Sequence, residues 1–231
     1  MSELRTFIEQ LHIANPEEKE EQLIKYMEGI LEWNEKVNLT AITDRDEFIQ
    51  KHFIDSLLCA ETLEFTASSS ICDIGTGGGF PGVPLAICYP NKQFTLMDSL
   101  EKRLKIVRQL CDEIGVENVQ VVHGRAEELA KQKDYREQFD LCVSRAVANM
   151  RVLSEYCLPF VKAGGCFIAY KGPDCQSEID DARRAIQILG GGEPGIRALS
   201  HLDHSLVLIS KVSNTPPAYP RKAGTPAKKP L

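Results

Sequence analysis

Ile71-Cys72-Asp73-Ile74-Gly75-Thr76-Gly77-Gly78-Gly79-Phe80 is the stretch that decides the fold. An apolar strand carries an acid near its end and breaks into a loop with glycines at alternate positions. Val83-Pro84-Leu85-Ala86-Ile87-Cys88 then reads as helix. Glycine permits backbone angles and close approaches that a side chain blocks. A strand-loop-helix turn of this kind binds the nucleoside end of a cofactor at the carboxyl edge of a parallel sheet. Gly75, Gly77 and Gly79 give G-x-G-x-G, whereas a dinucleotide fingerprint wants G-x-G-x-x-G, whose third position here is Phe80. A carboxylate at Asp73 suits the ammonium of a methionine moiety and would repel a pyrophosphate. The loop favours S-adenosylmethionine over a dinucleotide, although glycine-rich turns also occur without any ligand.

Working outward, Gln93-Phe94-Thr95-Leu96-Met97 reads as a second buried strand ending at Asp98. An acid about twenty residues past the first glycine sits at the tip of strand two, where its oxygens can accept from both ribose hydroxyls. The competing role is a helix cap, since Asp caps well and Glu101 follows three residues later; Ser99 could cap instead.

After Asp98 the alternation continues. Strands are expected at 119–122, 139–143, 165–170 and 205–210. Helices are expected at 100–114, 126–131, 149–160 and 177–189. This pattern predicts an α/β fold with a central, mainly parallel sheet. Upstream, Leu4, Phe7, Ile8 and Leu11 mark a first helix. Asn15-Pro16-Glu17-Glu18 restarts a second, with Asn as cap. Thr43-Asp44 caps a third, which carries His52 and Asp55 on one face. Residues 66–70, small and serine-rich, read as a hinge. The expected organisation is a helical subdomain at 1–66, a Rossmann-like domain at 67–212 and a basic, proline-rich tail at 213–231.

Composition sets limits. The 231 residues are 43% hydrophobic, ample for a core, and no stretch approaches the roughly 18 apolar residues of a membrane span. Eight cysteines include no Cys-x-x-Cys pair, so neither a zinc site nor a disulfide framework is expected, and a reduced, cytoplasmic setting follows. The net charge of −6 argues weakly against a nucleic-acid partner, but the excess of acids lies in the first seventy residues. Lys211, Arg221, Lys222, Lys228 and Lys229 close the chain with no acid among them. Such a tail reads as a contact arm for phosphates, or else as a solvated terminus. Nothing points to an oligomer, and a monomer is favoured.

The loops after the strands line the ligand crevice of such a sheet. Arg125, Ala126 and Glu127 follow strand three, where a carboxylate or backbone amide can read an adenine edge. Arg145 follows strand four and Lys171 strand five. Two cations aimed into one crevice repel each other, and a substrate with phosphate or a guanine edge explains them better than stability does. Local pairing with Asp140, Asp174 or Glu178 is the alternative. His52 and Asp55 invite a general-base role, with a plain hydrogen bond on the helix surface as the bland reading.

With these residues in place, the chain resembles the bacterial ribosomal RNA small-subunit methyltransferase G (GidB) family along essentially its whole length. Asn38-Leu39-Thr40-Ala41-Ile42, Lys51 to Leu57, Asp73 to Gly82, Met97 to Arg103, Ser144-Arg145-Ala146 and Tyr219 to Pro226 carry the likeness. The resemblance implies a Rossmann-like class I methyltransferase that uses S-adenosylmethionine to form 7-methylguanosine in 16S ribosomal RNA of the small subunit. It implies cofactor contacts at Gly75, Phe80, Ala126, Glu127 and Arg145, beside Asp73, Gly77 and Asp98 from the residues themselves. It also places Arg125, Arg145 and Lys171 near the reacting centre. No metal is implied. Two rivals remain: a small-molecule methyltransferase, with a closed apolar pocket and no use for a basic tail, and a non-catalytic cofactor- or RNA-binding protein.

Overall fold

A computed structural model describes residues 2–198 and 204–231. A seven-stranded sheet forms its centre, in the order β3-β2-β1-β4-β5-β7-β6. The strands are β1 (Ser70–Ile74), β2 (Gln93–Asp98), β3 (Val119–His123), β4 (Phe139–Arg145), β5 (Val161–Lys171), β6 (Gly195–Ala198) and β7 (Ser205–Ser210). β1 to β5 run parallel, and β7 pairs antiparallel with both β5 and β6. The strand order reverses between β1 and β4, the place where an open α/β sheet parts its loops and leaves a crevice. β6 had no counterpart in the sequence pattern, because its glycine and arginine break the apolar run.

The helices are α1 (Glu3–Gln10), α2 (Pro16–Asn34), α3 (Arg45–Phe48), α4 (Asp55–Leu57), α5 (Leu63–Ala67), α6 (Gly82–Cys88), α7 (Glu101–Glu113), α8 (Ala126–Leu129), α9 (Met150–Cys157), α10 (Gln176–Ile188) and α11 (Thr225–Lys228). Two apolar clusters cover the two faces of the sheet. One joins Leu23, Met27, Phe48 and Leu57 of the N-terminal helices to Ile71, Leu96 and Ile168. The other packs α9 and α10 on Cys72, Cys142 and Phe167. All eight cysteines are buried, packing as small hydrophobes.

Several local expectations change. α2 starts at Pro16, but Asn15 is left-handed (φ 55°) and its side chain accepts no bond from the helix. Asp44 does cap α3, accepting from Glu47 N–H at 2.9 Å. Residues 49–54, expected as ordinary helix, form a π-helical run between α3 and α4. The serine-rich hinge is fastened: Asp140 accepts from the N–H groups of Ser69 and Ser70, and the Lys92 ammonium bonds the carbonyls of Phe65, Thr66 and Ser68. β5 begins at Val161, four residues early, across a register shift opposite Phe139 and Leu141; such a bulge accommodates Gly164 at φ 86°.

The largest correction concerns the tail. It packs against α8 and α9 and adds the short α11. Lys211 is wholly buried, and its ammonium reaches Glu137, Thr215 and the carbonyls of Leu158 and Val161. Arg221 forms a two-pronged pair with buried Glu155 at 2.6–3.1 Å. Two of the five tail cations therefore face inward, whereas Lys222, Lys228 and Lys229 stay exposed.

Candidate active site

The glycine loop follows β1 with Gly75, Gly77 and Gly79 at φ 74°, 58° and 89°, angles that side chains rarely adopt. At Gly75 a Cβ would also meet Val147 Cγ2 at 2.4 Å. The loop is tied on three sides. Asp73 Oδ2 accepts from Thr76 Oγ1 (2.7 Å) and Gly82 N–H (2.9 Å). Tyr26 of α2 donates to the Gly78 carbonyl (2.8 Å). Asp98 Oδ2 accepts from Gly77 N–H (2.9 Å), while its Oδ1 accepts from Leu100 N–H (2.8 Å). Neither Asp98 nor Ser99 caps α7, whose cap position is Leu100 with no side-chain bond. Each Asp98 oxygen accepts one backbone N–H and keeps a lone pair, as recognition of a ribose diol requires.

A crevice of about 330 Å³ opens over these strand ends, lined by Gly75, Met97, Asp98, Arg125, Ala126, Glu127, Ala146, Val147 and Tyr156 among others. Sequence reasoning missed Tyr156, Val147 and Leu100. Leu100 and Val147, half-exposed, carry no sequence signal that marks them, since single exposed apolar side chains are ordinary. Glu127 is 2% exposed and accepts from Gly224 N–H at 2.8 Å. Arg125 stands in this crevice, not beside Arg145 and Lys171.

Asp73 and Phe80 are not in the crevice wall. The Asp73 carboxyl lies wholly buried under the loop, with Oδ1 as the one buried side-chain polar atom lacking a partner among the described residues. Burial pushes it up to about 7, although Thr76 and Gly82 donate to it and Arg145 attracts it. The Phe80 ring stacks on His52 (4.3 Å, 8°), edge-on to Phe48, with the Arg145 guanidinium over its face at 5.5 Å.

A second pocket, about 390 Å³, lies over the ends of β4 and β5 and includes His52, Asp55, Arg145, Ala146, Tyr170, Lys171, Gly172 and His204. Arg145 does not enter it free. Its guanidinium bonds Asp55 Oδ2 (2.7 Å), the Lys51 carbonyl (2.6 Å) and His52 Nδ1 (2.8 Å). A guanidinium only donates, so Nδ1 carries the lone pair and Nε2–H donates to Thr40 Oγ1 (2.7 Å). Asp55 Oδ1 meets His204 Nδ1 at 2.7 Å. His52 and Asp55 therefore converge on Arg145 instead of bonding each other at a helix surface. Burial, then Arg145, push the imidazole down to about 3, so it stays neutral. Asn34 Oδ1 holds the Thr40 and Leu39 N–H groups. Lys171 pairs with Glu178 (2.6 Å) and the Ala148 carbonyl. Both strand-end cations are thus neutralised, Lys171 by one of the expected acids and Arg145 by Asp55, which was not among them. The two pockets share Ala146, a non-glycine residue at φ 56°, and strained backbone of this kind clusters at functional sites.

Comparison with known proteins fits this geometry. The family model described as GidB, rRNA small subunit methyltransferase G, matches residues 19–207. The protein named ribosomal RNA small subunit methyltransferase G from Alkaliphilus metalliredigens is 48% identical over 215 residues, covering 91% of this chain and 90% of its own. That of Clostridium novyi is 48% identical over 232 residues, covering 99% and 96%. Among solved structures, the S-adenosylmethionine-dependent methyltransferase SibL superposes with a TM-score of 0.59 at 16% identity, over 73% of this chain and 57% of that one. An O-methyltransferase family protein from Burkholderia thailandensis gives 0.56 at 12%, over 73% and 58%. At such identities the likeness speaks for the Rossmann-like methyltransferase fold.

Proposed function

The chain belongs to the rRNA small subunit methyltransferase G family, and from that premise we propose that it methylates N7 of a guanine in a loop of 16S ribosomal RNA, with S-adenosylmethionine as donor. The observation that supports this most is the pair of pockets meeting at Ala146, one bounded by a diol-binding acid and a buried glutamate, the other by a fixed guanidinium.

Asp98 would accept the ribose hydroxyls, and the Ala126–Glu127 turn would read the adenine edge. Asp73 orders the glycine loop from beneath. S-adenosylmethionine supplies a sulfonium methyl whose carbon–sulfur bond breaks as the new bond forms. Guanine N7 has an in-plane lone pair and no proton, so this chain needs no base. The site agrees: His52 is neutral, with Nδ1 committed to Arg145 and its proton to Thr40. What remains is positioning. Arg145, held by Asp55, His52 and Lys51, and Lys171, held by Glu178, orient the purine. Arg125 stands at the mouth of the donor crevice. Because both inner cations are paired, the pocket adds little net charge to a reaction that transfers one from sulfur to the purine.

That nitrogen lies in the deep, narrow groove of paired RNA, so the target is a loop or an opened helix. Exposed Lys222, Lys228 and Lys229 suit its phosphates. No helix among the described residues is long and apolar enough to cross a membrane, and action as a monomer in the cytoplasm, on ribosomal particles, fits the reading. Labelled S-adenosylmethionine, bacterial small subunits and naked ribosomal RNA test it. Label on one guanine N7 is the expected result. Label absent from both RNA forms, or found on another atom, overturns it.

A further inference from the structure

The ordered C-terminal segment has a direct line to the donor crevice. Arg136 pins its first half, donating to the carbonyls of Thr215 (2.7 Å) and Tyr219 (2.9 Å). Arg221 then locks onto Glu155 through its guanidinium and its own N–H (2.8 Å). Three residues later Gly224, at φ 80°, turns its N–H onto Glu127 Oε1 at 2.8 Å. Arg151 holds the carbonyls of Pro230 (3.0 Å) and Leu231 (2.5 Å). The segment thus touches both walls of the crevice: Glu127 on α8, and α9, where Glu155 adjoins the lining residue Tyr156.

We infer that the Arg221–Gly224 turn is a positioning element of the donor crevice, fixing the Glu127 carboxylate where it meets the nucleoside end of the cofactor. This rests on the reading of the crevice as the S-adenosylmethionine site. A glutamate side chain has three rotatable bonds, and ordering it when ligand binds costs affinity. Here the order is installed beforehand by a donor from the far end of the chain. Arg125 also pairs with Glu127, but it is half-exposed and lies at 3.6 Å, and screened, loosely placed charges fix a geometry poorly. The left-handed turn at Gly224 has open space around it, so its glycine serves the direction of the N–H, not crowding.

A coupled set of variants tests this, with S-adenosylhomocysteine as the probe. Its affinity is measured by calorimetry for the intact chain, for Glu155→Gln with Arg221→Gln, for a chain ending at Tyr219, and for each combined with Glu127→Ala. The double-glutamine change releases the strap without stranding a buried charge, and it serves alone should the shortened chain fail to fold. The expected result is a roughly tenfold weakening by either tail change when Glu127 is present and almost none in the Glu127→Ala background, since residues acting through one contact are non-additive. Adding the peptide 220–231 back to the shortened chain should restore affinity. An equal loss in both backgrounds would make the strap a general stabiliser and overturn the inference, as would no loss in either. If Glu127→Ala in the intact chain leaves affinity unchanged, the role of Glu127 in the crevice fails as well, and the two failures are told apart.

Discussion

Replacing Asp73 by Asn should stabilise the ligand-free protein at neutral pH, and the structure sets the size of the effect. The folded carboxyl is raised to about 7, mainly by burial, whereas an exposed aspartate titrates near 3.9. The difference is about three pKa units, or about 4 kcal/mol, by which ionised Asp73 disfavours the fold. Between about pH 4 and 7 the folded chain binds a proton that the unfolded chain has released. Stability therefore falls as pH rises through that window and levels off above 7. Both bonds to the carboxyl end on Oδ2, so an asparagine carbonyl in that position keeps them. Its amide would occupy the place of Oδ1, which has no partner, and an unpaired buried donor costs about 1–3 kcal/mol. A net gain of about 1–3 kcal/mol at pH 7.5 is expected; at pH 4.5, where folded Asp73 is protonated, the penalty has shrunk to about 1 kcal/mol and the advantage vanishes or reverses. Urea unfolding at the two pH values measures it. An Asn variant weaker than the parent at pH 7.5, or a gap that does not narrow in acid, refutes the reasoning.

Asp98→Ala should weaken S-adenosylhomocysteine binding by roughly 1.5–3 kcal/mol, because it removes the proposed ribose acceptor and also frees Gly77 N–H from its bond to Oδ2; unchanged calorimetric affinity in a folded variant would reduce Asp98 to a loop brace. His52→Ala should retain measurable methyl transfer and leave the rate profile between pH 6 and 8 without a new inflection. A loss of several thousand-fold, with cofactor and RNA binding intact, would demand a general base, whose contribution is on the order of a hundred- to ten-thousand-fold. Arg145→Lys cannot reproduce bonds to Asp55, His52 and the Lys51 carbonyl together. We expect turnover on RNA to drop about a hundredfold from misplacement while S-adenosylhomocysteine affinity stays near that of the parent, and an equal fall in both would return Arg145 to the donor site.

The glycine loop and the crevice proposed for the donor were legible because their signals are local. The β1 strand, the alternating glycines and Asp98 lie within one βαβ unit, where spacing alone fixes geometry. The acceptor half was not. Arg145 and Asp55 are ninety positions apart, and the π-helical run that carries His52 towards Asp55's partner has no composition signature. Phe80 stands in a motif that suggests ligand contact, yet its ring joins the mutually packed rings of Phe48 and His52, because an aromatic gains more from burial than from an open crevice. The tail misled for a related reason. Five cations without an acid look solvated along the chain, but the acids that receive Lys211 and Arg221 are Glu137 and Glu155, on other elements. Charge balance in a fold is a property of neighbours in space.

The reversal of strand order between β1 and β4 divides labour along the sheet. In the proposed reading, donor recognition sits over β1, β2 and β3, while the acceptor pocket draws on β4, β5 and the N-terminal helices, with Ala146 as the shared threshold. The two halves are nevertheless mechanically joined, since His52 and Arg145 pack on Phe80 of the glycine motif and Tyr26 of α2 holds the Gly78 carbonyl. Ala146, at φ 56° on the line where the two pockets meet, makes Arg145 to Val147 the stretch where a saturation library should tolerate far fewer replacements than equal stretches on either side.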